Sequence, residues 1–153
     1  SAIQMNLPIT LQSTFSSAPA SGQLGFKNSG NNIVNPITST IVYNANTIAV
    51  PVGVWLITNS MNIIVNETGG TTTLVDTCVS SSTTLLTSLV DQASRTTDAI
   101  STVYPANTNH NFSTSFVYQN ATSASVNLYQ LYTQTFSSGS YGYFAYYTLT
   151  RIA

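Results

Sequence analysis

Proton transfer, nucleophilic attack and metal binding need a small set of side chains, and this chain holds few of them. It has one histidine, His110, and four acids, Glu67, Asp76, Asp91 and Asp98. A Ser-His-Asp triad would need His110 beside a buried Asp and an activated Ser. His110 stands in NTNHNF, a loop composition, and no G-x-S-x-G elbow is present. It is expected as an exposed loop histidine. Paired carboxylates could hydrolyse glycosides. Glu67 falls in a turn sequence, and Asp91 and Asp98 flank a possible hairpin, so each acid reads as a turn residue or a solvated charge. No cluster of His, Cys, Asp or Glu has ligand spacing. An axial calcium ion, held by one Asp from each of three chains, is the one metal arrangement left open. ETGG (67–70) and SSGSYG (137–142) lack the phosphate-loop pattern. No catalytic residue, no cofactor and no metal ligand is expected, and the chain does not read as an enzyme.

Other groups could bind or be modified. Cys78 is the single cysteine, which excludes an intrachain disulfide. It reads as a small buried hydrophobe, with an interchain bridge as the alternative. Asn66, Asn111 and Asn120 each begin an N-x-Ser/Thr sequon, which matters only on a secretory route. Tyr104, Tyr118 and Trp55 could stack on sugars. Trp55 reads more naturally as core, and Tyr104, before Pro105, as the most exposed ring.

The elements that would position these residues are read from composition and period. Charged residues make up 5% of the chain and hydrophobic residues 42%. A typical soluble protein carries about a quarter charged residues. The polar share is Ser, Thr, Asn and Gln, and abundant rings and β-branched residues argue against disorder and for strands. Net charge is −1 from three scattered cations, Lys27, Arg95 and Arg151. That leaves no footprint for nucleic acid and no polybasic patch for a membrane surface. The longest apolar run, 48–57, is interrupted by Pro51 and Gly53 and is too short to span a bilayer. The 153 residues suit one domain, 1–153, with residues 1–20 as a first strand or a stalk-proximal segment. The absence of an initial Met points to a processed piece of something longer.

Alternation with period two marks half-buried strands. Ile9, Leu11 and Phe15 share a face, as do Ile37, Ile41 and Tyr43; Met61, Ile63 and Val65; and Phe112, Phe116 and Tyr118. Turn compositions lie between them at 16–22, 28–32, 67–70, 105–111 and 136–142. Many short strands with turns between them predict an all-β sandwich or barrel. Residues 83–100 approximate helical spacing, but Thr and Ser fill the gaps, and two strands with a turn near Gln92–Ser94 are expected.

Three runs are apolar on both faces: 49–58, 126–134 and 141–153. A loop or helix could cover the second face of such a strand. The sharper expectation is that the three lie side by side in one sheet. Its outer face would then be an oligomer interface, since a large apolar patch is rarely left open on a monomer. Tyr129, Tyr132, Tyr143, Phe144, Tyr146 and Tyr147 form the pool of interface candidates. Parity does not say which half of the pool faces a partner.

A Pro-x-Gly-x-aromatic run, PVGVW (51–55), sits mid-chain, after QLGF (23–26) in a short early strand, and the sequence closes on SGSYGYFAYYTLTRIA (138–153). Together these resemble the jelly-roll heads of the tumour necrosis factor and complement globular-head superfamily. More narrowly, they are similar to trimeric heads of fibre or capsid-associated proteins of large DNA viruses. The resemblance spans roughly 20–153. It implies an all-β, two-sheet antiparallel jelly-roll sandwich of about ten strands. It further implies a homotrimer around a threefold axis, with the first and last strands in the inner sheet. On that reading the chain is a non-enzymatic structural protein at a virion surface, whose loops meet a host glycan or receptor. The calcium sites and cysteines of the complement heads are not recognisable here. The alternative is a secreted or surface lectin-like β-sandwich.

Overall fold

The computed structural model describes residues 22–67, 70–84, 86–90, 94–98 and 101–153. The strand expected at 9–15, the segment 1–20, Asp91 and the turn at Gln92–Ala93 lie outside them. Among the described residues eight strands are formed, in chain order β1 (Lys27–Val34), β2 (Tyr43–Val50), β3 (Gly53–Glu67), β4 (Thr72–Ser80), β5 (Thr96–Asp98), β6 (Thr108–Asn120), β7 (Val126–Phe136) and β8 (Ser140–Arg151). They build two antiparallel four-stranded sheets, in the order β1-β8-β3-β6 and β2-β7-β4-β5. Seven connections join the strands, and six of them cross from one sheet to the other, which is the jelly-roll arrangement. The expected all-β jelly-roll sandwich is therefore present, with eight strands in place of about ten.

Parity explains the core. In β3, odd residues point inward: Trp55, Ile57, Met61, Ile63 and Val65 are buried. In β8, Tyr141, Tyr143, Ala145, Tyr147 and Leu149 do the same. Even residues of β6, including Phe112, Phe116 and Tyr118, meet them from the flank. Trp55 anchors one end: its Nε1–H donates to the Pro51 carbonyl at 2.8 Å, and Phe26 meets its ring edge-on at 6.2 Å.

The core is not uniformly apolar. One hydrophobic cluster centres on Met61, Tyr132 and Tyr143, the other on Trp55, Phe116 and Leu149. Between them runs a belt of amides. Gln130 Nε2 donates to Asn59 Oδ1 and to the Ser60 carbonyl at 3.0 Å, while Asn46 Nδ2 donates to Gln130 Oε1 at 2.6 Å. Slipping one sheet past the other would leave these groups unpaired in a low dielectric, so the belt fixes how the sheets face each other.

Several local expectations are corrected. NSGNN (28–32) has a turn composition, yet it lies inside β1. A Cβ on Gly30 would sit 2.6 Å from Tyr147 Cε1, so glycine is required by the close approach of a ring and not by a turn. QLGF (23–26) forms a turn, with Gly25 at φ 81°, and not a short strand. The run 49–58 is not one strand: β2 ends at Val50, Pro51–Val52 turn, and β3 begins at Gly53 with φ 129°. Residues 37–42 are a loop, because Thr40 takes φ 67° and breaks the extended run. Of the two strands expected over 83–100, the described residues show only the short β5 at 96–98; residues 81–84, 86–90 and 94–95 are irregular and touch β4 through one bridge, Ser80 to Leu89.

Candidate interaction surface

Each sheet has an outer face, and the chain treats the two differently. On the β2-β7-β4-β5 sheet the outward residues Asp76, Cys78, Ser80 and Leu131 are buried, and in the connecting loop between β4 and β5 the described residues Arg95, Leu86 and Ser88 bond to Asp76, Cys78 and Ser80. Ser80 Oγ donates to the Ser88 carbonyl at 2.9 Å, and Ser94 Oγ donates to the Val79 carbonyl at 3.0 Å. The loop is clamped by charge. Arg95 Nε donates to Asp76 Oδ1 at 3.0 Å, Arg95 Nη2 pairs with Asp76 Oδ2, and Thr97 Oγ1 donates to Asp76 Oδ1 at 3.0 Å. Under this cover, burial pushes the Cys78 thiol up to about 12, with the Asp76 carboxylate adding to the shift and Arg95 opposing it.

The outer face of the β1-β8-β3-β6 sheet has no such loop among the described residues. Strand registers place its side chains in rows about 6.7 Å apart. One row runs Lys27, Thr150, Leu56, Val117, and the next Ser29, Thr148, Thr58, Ser115. The third is Asn31, Tyr146, Ser60, Ser113, and the fourth Ile33, Phe144, Asn62, Asn111. Hydroxyls and amides hold the middle: Thr58 Oγ1 and Ser115 Oγ lie 3.0 Å apart, and Asn111 Nδ2 donates to Ser60 Oγ at 3.3 Å. Apolar groups hold two opposite corners. Ile33 is 60% exposed and Tyr146 39%, with Phe144 half-buried beside them. Val117 is 54% and Leu56 37% exposed at the other corner.

This geometry divides the interface candidates. Tyr132, Tyr143 and Tyr147 are buried in the protomer's own core; Tyr132 and Tyr143 pack at 5.0 Å between ring centroids. Phe144 and Tyr146 point outward. Tyr129 is half-buried on the outer side of the other sheet, opposite Thr47 and Ser80. The three doubly apolar runs do not share one sheet. β3 and β8 are neighbours, but β7 belongs to the other sheet, where Leu131 and Thr133 on its second face are buried.

The remaining candidates fall into place individually. His110 is half-buried on β6 and not in a loop; its ring lies 4.0 Å from that of Tyr104, and its Nε2 lies 3.1 Å from Thr108 Oγ1. Tyr104 is therefore buried and not the exposed ring expected. Trp55 is core, and Tyr118 packs half-buried against the same cluster. Glu67 is exposed at the end of β3, and Asp98 lies on β5. Among the described residues no three His, Cys, Asp or Glu side chains come together as a metal set. Of the sequons, Asn120 is spent inside its own turn. Its Nδ2 donates to the carbonyls of Val50 and Ala124, both at 2.9 Å, and its Oδ1 accepts from Thr122 Oγ1 at 2.7 Å. Asn66 Nδ2 donates to Asn35 Oδ1 at 2.6 Å, and Asn111 is exposed on the open face.

The amide belt was not anticipated, although its signal is visible in the sequence. Asn59 shares parity with Ile57 and Met61, and Gln130 shares it with Leu128 and Tyr132.

No protein-family model matches the sequence, and no curated protein does. Solved structures to which it is similar include one of infectious bursal disease virus, Gx strain, at 7% identity and TM-score 0.44. That match covers 84% of this chain and 32% of the other. A crystal structure of the T13 IBDV viral particle is similar at 7% identity and TM-score 0.40, over 83% of this chain and 36% of the other. The chain thus spans about a third of the length of these structures. A likeness at this level assigns neither a residue role nor a partner.

Proposed function

We propose that this chain is a non-enzymatic viral structural protein. On this reading it is the homotrimeric head of a virion fibre or capsid-associated protein, whose loops attach to a host glycan or receptor. The observation that carries the assembly is the asymmetry of the two outer faces. One sheet is covered by its own loop and clamped by Arg95 and Asp76. The other, among the described residues, leaves Ile33, Phe144 and Tyr146 together on an open face of the sheet that contains both β1 and β8. Burying that corner against two further copies would remove apolar area from water, at about 25 cal/mol per Å². The neutral Ser/Thr/Asn rows beside it would add polar contacts without like-charge repulsion. The viral setting and the attachment role extend the resemblance of PVGVW and of the aromatic terminal strand.

The test is substitution at the open corner. Ile33→Asp combined with Phe144→Asp is expected to reduce the sedimentation coefficient to that of a particle one third the original mass, with an unchanged far-UV spectrum. Retention of the original particle would overturn the interface.

A lectin-like reading is favoured by one feature of the same face: rows of hydroxyls and amides flank Tyr146, a ring on which a sugar could stack. A glycan array separates the readings. Saccharide binding by a single chain, lost in Tyr146→Ala, would support the lectin.

A further inference from the structure

Four strands lie at sheet edges: β1, β6, β2 and β5. An edge strand exposes unpaired N–H and C=O groups, and proteins blunt such edges with charge, proline, bulges or brevity. β5 has three residues. β2 is bulged between Asn44 and Asn46. β1 begins on Lys27 and carries Gly30 in its middle. β6 has none of these devices. It runs for 13 residues, TNHNFSTSFVYQN, without proline, Lys, Arg, Asp or Glu. It pairs with β3 from Asn120 to Thr108 without a register shift. Its inward rings Phe112 and Tyr118 stay only partly buried, whereas Ile57, Met61 and Ile63 on the neighbouring strand are fully buried. Among the described residues the sandwich is thus open along this flank in both hydrogen bonding and apolar cover.

We infer that β6 pairs antiparallel with β6 of a second copy across a two-fold axis, joining their sheets into one. A second copy suits the edge because an isologous contact presents the same strand from both sides. An uncharged strand meets no like-charge penalty when paired with itself. A net charge of −1 per chain adds little repulsion to the approach. The added strand would complete the ladder and cover the flank where Phe112 and Tyr118 are half-buried. This pairing uses the β6 edge, across the sheet from the Ile33, Phe144 and Tyr146 corner assigned to the trimer, and does not depend on that assignment.

The experiment compares the full chain with Ser113→Lys/Ser115→Lys, two outward positions where lysines from both copies would meet. Mass by light scattering and hydrogen exchange of β6 amides are read together, with far-UV circular dichroism and thermal melting to check the fold. A wild-type particle of two or six chains, halved in mass by the double lysine variant, with faster exchange in β6 alone, is the expected result. A wild-type particle of one or three chains overturns the pairing. So does an even-numbered particle that the lysines leave intact. Protected β6 amides in a single-chain particle also overturn it and assign the edge's cover to the chain itself. Failure of the trimer reads out separately, through Ile33→Asp/Phe144→Asp.

Discussion

Tyr143 and Tyr146 stand three residues apart on β8 and are treated in opposite ways. Tyr143 packs against Tyr132 and Tyr43 inside the sandwich; Tyr146 looks outward from the open face. Tyr143→Asp should therefore unfold the chain, since a buried unpaired carboxylate in place of a core ring costs several kcal/mol. Tyr146→Asp should leave the melting temperature of the protomer nearly unchanged. Thermal denaturation followed by circular dichroism distinguishes the two. Alkaline pH probes the same core. Burial raises the Cys78 thiol from its usual 9.0 to about 12, and the Tyr143 hydroxyl from 10.0 to about 12, with Tyr43 adding to the latter. Both groups stay neutral in the fold and ionise more readily in the unfolded chain. Their contribution is whole below pH 9.0 and falls as pH rises towards about 12. Denaturant midpoints should accordingly decline over that window and not between pH 6 and 8.

At the scale of elements, the described residues of the loop between β4 and β5, Leu86, Ser88 and Arg95, hold to the outer face of β4. Arg95→Ala would strand Asp76 in a buried site, where Thr97 Oγ1 still donates to it. The expected cost is about 3 kcal/mol, at the lower end for a broken pair because Arg95 is partly solvated. The same variant should expose Cys78 to a thiol reagent that reaches it in the parent only after unfolding. Equal labelling rates in the two proteins would show that the loop does not depend on this clamp. These elements also show what a sequence carries. Period-two alternation was enough for β3 and β6, where Met61, Ile63 and Val65 point inward together, as do Phe112 and Phe116. It failed for β1, because Asn and Gly signal a turn, while the strand is created by pairing with β8 and by the ring of Tyr147 over Gly30. It failed also for the grouping of 126–134 with 141–153, because sheet membership depends on crossovers between distant segments. The outward ring Tyr146 was in the candidate pool, but its orientation needed the register with Ser60 and Asn31.

On the scale of the whole molecule, the proposed trimer closes the β1-β8-β3-β6 face, open among the described residues, against copies of itself around a threefold axis. A 16.3 kDa chain with an apolar corner on one face and an unprotected 13-residue edge is read as a subunit rather than a finished particle. The most direct measurement is absolute mass in solution, by light scattering after size exclusion, repeated on dilution. Three chain masses that persist on dilution, or six where the β6 edges also pair, is the predicted result. A stable particle of one or two chains would contradict the trimer.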